Sequence, residues 1–278
     1  MAPPFDITQP DDRPETRVRI AGLNIDLVDL GSGQPILYLH GLDGIFPDHP
    51  FLLGLSQKAR VIAPWHPGFG HSEGPDAFQT IHDLANFYAH FLREQDLKDV
   101  TVIGAGFGGW IALELAATGC ERIGALALIG SVGMKFRDRE TREIADIYGT
   151  PFAQFEALEY ADPDNKLNKY TEMSDWQMWA LARSREAVAR YGWKPYMHDP
   201  ALRHWAGLID VPTLVVWGAE DGVTPPDYGR QMAGAIPGAV FETVAKAGHH
   251  PWHEQPEDTL RLMREFLESS AAARHEAA

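Results

Sequence analysis

Residues 102–110, Val-Ile-Gly-Ala-Gly-Phe-Gly-Gly-Trp, leave this chain few ways to fold. The run from Val100 through Ile103 is short, apolar and rich in β-branched residues, as in a strand buried on both faces. Gly104, Gly106 and Gly108 then turn the chain sharply. From Phe107 on, Trp110, Ile111, Leu113 and Leu115 are spaced for a helix packed onto a sheet. A buried strand that passes through glycines straight into a helix predicts an α/β protein with a tight turn at the carboxyl end of a central strand.

The rest of the chain narrows what such a protein can do. Its 278 residues allow one large α/β domain or two small ones, and 45% hydrophobic residues supply a sizeable core. A formal net charge of −15 speaks against nucleic acid or an anionic membrane as partner, since both are bound through clustered Lys and Arg. No run approaches the roughly 18 apolar residues of a membrane span. Cys120 is the one cysteine, which excludes an internal disulfide framework and fits a reducing compartment, so a cytoplasmic protein is expected. Residues 1–15 are rich in Pro and Asp, lack the basic and apolar regions of a signal peptide, and read as a loose arm. Composition leaves the oligomeric state open.

Taken in order, residues 17–20 and 25–30 alternate like two antiparallel strands joined through Ala21-Gly22. Residues 35–39 form an apolar run typical of a parallel strand, followed by a helix over 50–58 and a buried strand over 60–63. Thr80 and Asp83 make a capping box in which Asp replaces the usual Glu. Behind it Leu84, Phe87, Tyr88, Phe91 and Leu92 recur at helical spacing. After the glycine turn and its helix, residues 125–129 give a sixth strand. The alternation then stops. Residues 141–148 and 152–160 read as short helices and 174–190 as a long one. Strands return at 213–217 and 240–244, and a helix over 256–270 closes the chain. This pattern predicts a mostly parallel, doubly wound sheet with a helical cap inserted after the sixth strand. The core covers 16–132 and 207–270, the cap 133–206, and residues 1–15 and 271–278 form loose ends.

The chemistry-bearing stretches fall at the ends of these strands. His40-Gly41-Leu42-Asp43-Gly44 follows the third strand, and Pro67-Gly68-Phe69-Gly70-His71-Ser72 is a rigid turn after the fourth. Gly218-Ala219-Glu220-Asp221 follows the seventh, and Ala247-Gly248-His249 the eighth, with Glu254 and Pro256 beyond it. In this order and spacing the chain resembles the capped serine-hydrolase type of the α/β-hydrolase superfamily, over roughly residues 16–270. Residues 104–108 then match the nucleophile elbow, G-x-S-x-G, except that Gly106 stands in place of the serine.

The resemblance implies a role for each position. Gly106 is the nucleophile position, and glycine has no side chain with which to form an acyl-enzyme. His249 is the general base, favoured over His250 by the glycine-histidine step. Asp221, rather than Glu220, orients the imidazole and stabilises its cation. The backbone N–H groups of Leu42 and Phe107 form the oxyanion hole. His40, His66 and His71 are read as structural. Trp176, Trp179, Trp193 and Tyr196 of the cap are expected to face a pocket for a small hydrophobic substrate. No cofactor is expected, since neither metal-ligand spacing nor a dinucleotide fingerprint occurs.

Three functions remain open on the sequence. The first is hydrolysis of an ester, lactone or carbon–carbon bond, the serine having been replaced by nature or by design. The second is an enzyme using the His249–Asp221 pair without a nucleophile: a cofactor-free oxygenase, a lyase or a water-activating hydrolase. The third is a non-catalytic ligand-binding protein.

Overall fold

The computed structural model describes residues 16–138, 140–167 and 170–277. The expected loose arm at 1–15 lies outside them. Strands β1 (Thr16–Ile20) and β2 (Leu23–Gly31) pair antiparallel, as the alternation predicts, and β2 pairs antiparallel with β4 (Arg60–Pro64). The strands β3 (Pro35–Leu39), β5 (Val100–Ala105), β6 (Ile123–Ile129), β7 (Thr213–Gly218) and β8 (Val240–Val244) complete a sheet of order β1-β2-β4-β3-β5-β6-β7-β8. From β4 to β8 every pairing is parallel. Ile36, Leu37, Val102, Ile103, Leu126 and Val215 have no exposed surface, which explains why these strands read as apolar runs rather than as alternating ones.

Helices cover both faces. One set comprises α1 (Pro50–Ser56), α8 (Pro251–Glu254) and α9 (Pro256–Ala277). The other comprises α2 (Ile81–Glu94), α3 (Phe107–Ala117), α6 (Leu202–Ala206) and α7 (Pro226–Ala235). Members of each set pack on one another and on the strands between them. The predicted capping box starts α2: the Asp83 N–H donates to Thr80 Oγ1 at 3.2 Å, and Asp83 Oδ2 accepts from the Thr80 N–H at 2.9 Å. No helix is long and apolar enough to cross a membrane among the described residues.

Chain order along the sheet reverses at β3, which has β4 on one side and β5 on the other. Open α/β sheets place their ligand sites in the crevice beyond the carboxyl ends of the strands at such a reversal. The loop at residues 40–44 and the turn at Gly106 leave β3 and β5 there side by side.

Between β6 and β7 the chain forms α4 (Phe152–Glu159), α5 (Asp175–Gly192) and α6, and no strand among the described residues. The helix expected over 141–148 does not form. Its backbone groups are bound to tertiary partners instead of to one another. The Ala145 N–H donates to Val223 O at 2.9 Å, the Ala145 carbonyl accepts from the Tyr196 hydroxyl at 2.8 Å, and the Ile147 N–H donates to the same hydroxyl at 2.9 Å. Residues 271–278 were expected to be loose, but α9 runs on to Ala277. Three consecutive alanines from 271, with no Gly or Pro to stop them, extend it.

Candidate active site

The site is built on the turn between β5 and α3. Gly106 has φ +52° and ψ −114°, and its N–H donates to Ile129 O at 2.9 Å, which ties the turn to β6. The flanking glycines are there because of crowding. A Cβ on Gly104 would lie 2.6 Å from Gly108 O, and one on Gly108 would collide with the carbonyls of Leu39 and His40. Gly106 is different. A Cβ there would sit 3.5 Å from His249 Nε2 and 3.9 Å from Gly41 Cα, in ordinary contact. Only its backbone angle favours glycine.

His249 and Asp221 come together as the sequence predicts, from the loops after β8 and β7. Asp221 Oδ2 lies 2.9 Å from His249 Nδ1. The carboxylate is fully buried and held by three donors: the N–H groups of Val223 and Thr224, each 2.9 Å from Oδ1, and Thr224 Oγ1, 3.0 Å from Oδ2. A carboxylate so surrounded can only accept from the ring, so Nδ1 carries the proton and Nε2 presents its lone pair towards Gly106. The rival Glu220 is exposed. Glu254 braces the histidine loop, taking the Gly248 N–H on Oε2 at 2.6 Å and the Ala161 N–H on Oε1 at 2.8 Å. The His249 N–H donates to Glu159 O at 2.6 Å.

Leu42 and Phe107 both line the cavity above Gly106. As the first residue of α3, Phe107 has an N–H for which the helix offers no acceptor. His40 and His66 lie behind the site, fully buried and stacked with ring centroids 3.9 Å apart. Burial pushes the His40 imidazole down to about 4 and His66 well below its ordinary range. Both serve as the structural residues expected.

The aromatic wall differs from expectation. Of the four residues assigned to it, only Tyr196 lines the cavity. Trp176 and Trp179 stack on His71 at the turn after β4, and Arg183 of the same helix donates to Gly70 O at 2.9 Å. Trp193 is 56% exposed and meets Tyr148 edge-on. Apolar lining comes instead from Ile144, Ile147, Phe155, Val188 and Met197 of the inserted segment, and from Trp252 after His249. The position of Trp252, three residues past the predicted base, was the one signal the sequence offered for it.

Asp43, Glu159 and His250 form a polar cluster on the same cavity. His250 Nε2 lies 3.8 Å from Asp43 Oδ2 and 3.6 Å from Glu159 Oε1. Burial lowers the pKa of this imidazole, but the Glu159 contact and the charges of Asp43, Glu159 and Glu254 outweigh burial and push it up to about 9. A second cluster lies elsewhere. His82 Nδ1 is 3.0 Å from Glu114 Oε2, and His82 Nε2 is 3.4 Å from Asp199 Oδ2.

Residues 34–256 match the family described as alpha/beta hydrolase fold. A 2-hydroxymuconate semialdehyde hydrolase from Pseudomonas putida is 30% identical over 277 residues, 95% of this chain and 98% of its own length. A second protein of that name, from Pseudomonas sp. strain CF600, is 29% identical over 95% of this chain and 98% of its own. Among solved structures, a meta-cleavage product hydrolase from Pseudomonas fluorescens superposes with a TM-score of 0.75 at 20% identity, covering 92% of this chain and 98% of that one. At such identity it supports the fold alone. With the family matched over residues 34–256 and a relative 30% identical along 95% of the chain, the chain belongs to the alpha/beta hydrolase fold family.

Proposed function

We propose that this protein hydrolyses a carbon–carbon or ester bond beside a carbonyl group in a small hydrophobic molecule, with water rather than an enzyme side chain as the nucleophile. One observation carries the reading: His249 Nε2, with Asp221 fixing the opposite ring nitrogen, faces the space that a side chain at Gly106 would fill. The names of the two Pseudomonas relatives support the bond type, and the apolar walls support a hydrophobic substrate.

The chemistry balances without an acyl-enzyme. The Leu42 and Phe107 N–H groups hold the substrate carbonyl oxygen, where negative charge develops. His249 removes a proton from water as the oxygen–carbon bond forms, giving a tetrahedral oxyanion and an imidazolium paired with Asp221. Collapse of the oxyanion breaks the bond to the leaving carbon or oxygen, which takes the proton back from His249. Gly106 is, in this reading, the position that a serine holds in relatives with a covalent route.

The test is turnover of 2-hydroxymuconate semialdehyde and of activated esters by the native chain and by His249→Ala. We expect loss of at least about 10³-fold in the variant, as for other general bases that act in concert with an oxyanion hole. No label should appear on residue 106 with a fluorophosphonate. Turnover unchanged in His249→Ala, or none in the native chain on any member of the panel, would overturn the reading and favour a ligand-binding protein.

A further inference from the structure

We propose that Asp43, Glu159 and His250 form a binding site for a divalent transition-type cation in the wall of the active-site cavity. One ligand atom from each lies within 4.8 Å of the other two, with His250 Nε2 at 3.8 Å from Asp43 Oδ2 and 3.6 Å from Glu159 Oε1. These spacings are too long for hydrogen bonds, which need about 2.7–3.2 Å. They are close to the edges of a coordination shell. Ligands about 2.0–2.2 Å from a cation stand roughly 3.0–3.5 Å apart, so the two imidazole–carboxylate distances need to close by only a few tenths of an ångström.

Independently of the two acids, the histidine points to a ligand. The His250 side chain is only 9% exposed, yet its Nε2 makes no hydrogen bond among the described residues. Without a cation the charges of the two carboxylates compensate the ring as an imidazolium, and a metal ion would take the place of its Nε2 proton between the same two acids. One imidazole with two carboxylates is a mixed nitrogen and oxygen set. It suits Zn²⁺ or Mn²⁺ better than the all-oxygen preference of Mg²⁺ or Ca²⁺. Three protein ligands also leave coordination positions free for a water or a substrate oxygen, as in catalytic rather than structural metal sites.

The placement ties this site to the rest of the cavity. Asp43 follows Leu42, His250 follows His249, and the Glu159 carbonyl accepts the His249 N–H. A cation held here lies beside both the proposed oxyanion donors and the base, and favours substrates that carry oxygen atoms near the bond to be broken. No motif announces the set, because Asp43, Glu159 and His250 come from three distant stretches of the chain.

The chelator-treated full chain is titrated with ZnCl₂ and, separately, MnCl₂ by calorimetry, with MgCl₂ for comparison. One equivalent of Zn²⁺ or Mn²⁺ should bind, more tightly than Mg²⁺. His250→Gln and Glu159→Gln should each weaken binding by more than about 10-fold, since even an outer-shell partner is typically worth 10–100-fold. His82→Ala, at the other cluster, should leave binding unchanged. No saturable uptake, uptake undiminished in both ligand variants, or uptake lost in His82→Ala would overturn the site. Should a ligand variant fail to fold, the native chain decides: Zn²⁺ must move the His250 side-chain nitrogen resonances, and their constancy refutes the proposal. None of these readouts uses substrate, so their failure and the failure of the hydrolytic reading are separable.

Discussion

Gly106 is held by its own φ rather than by its neighbours, and this makes it open to experiment. Gly106→Ser places Cβ at a distance of ordinary contact but in a backbone region that costs a residue with a side chain about 1–3 kcal/mol. Lower entropy of the unfolded chain returns about 0.4–1 kcal/mol. The variant should therefore be destabilised by roughly 0–2.5 kcal/mol and gain ester or carbon–carbon hydrolysis by several orders of magnitude. A denaturant midpoint measured beside a substrate panel checks both, and a serine variant that is more stable and inert would contradict the geometry. At this scale the sequence was informative wherever a short motif fixes the local backbone. It could point to Asp221 and His249 because the loops that carry them match short motifs of the family the chain resembles. It could not place Trp176, Trp179 or Trp193, since helical spacing says which residues share a face and not what that face meets.

The same division holds for elements. Strands buried on both faces and the Thr80–Asp83 capping box were legible because their chemistry is local. Residues 141–148 were not, because the groups that replace helical hydrogen bonds there come from Tyr196 and Val223. The Tyr196 hydroxyl both donates to Ala145 O and accepts from the Ile147 N–H, while its ring lines the cavity. Tyr196→Phe keeps the ring and removes both hydrogen bonds. Leaving two part-buried backbone groups unpaired costs about 1–3 kcal/mol each where water cannot reach them. The segment carrying Ile144 and Ile147 should loosen, raising KM more than it lowers kcat. Steady-state kinetics with hydrogen exchange over 141–148 tests this, and unchanged exchange there would show that the hydroxyl does not hold the segment.

For the molecule as a whole, buried titratable groups set opposite pH limits. Burial raises the Glu114 carboxyl most, with Asp199 adding and His82 opposing, to about 7 from its usual 4.5. The folded state thus keeps a proton that the unfolded chain releases, so this contribution is full below pH 4.5 and is lost as pH rises towards 7. His40 and His49, held near 4 chiefly by burial, act the other way: their contribution is full above pH 6.5 and is lost as pH falls towards 4. Glu114→Gln retains an acceptor for the Trp110 Nε1–H and removes the first limit. Relative to the native chain it should gain stability on going from pH 4.5 to 7, by up to about 3 kcal/mol. Parallel profiles for the two proteins would show that Glu114 is not the group responsible. The bare turn at Gly106 has a consequence on this scale too. With no side-chain atom at residue 106, the proposed hydrolysis leaves no half of the substrate covalently held on that turn. In that proposed reaction no acyl-enzyme waits for a second acceptor, so added alcohols or amines should not be acylated through residue 106.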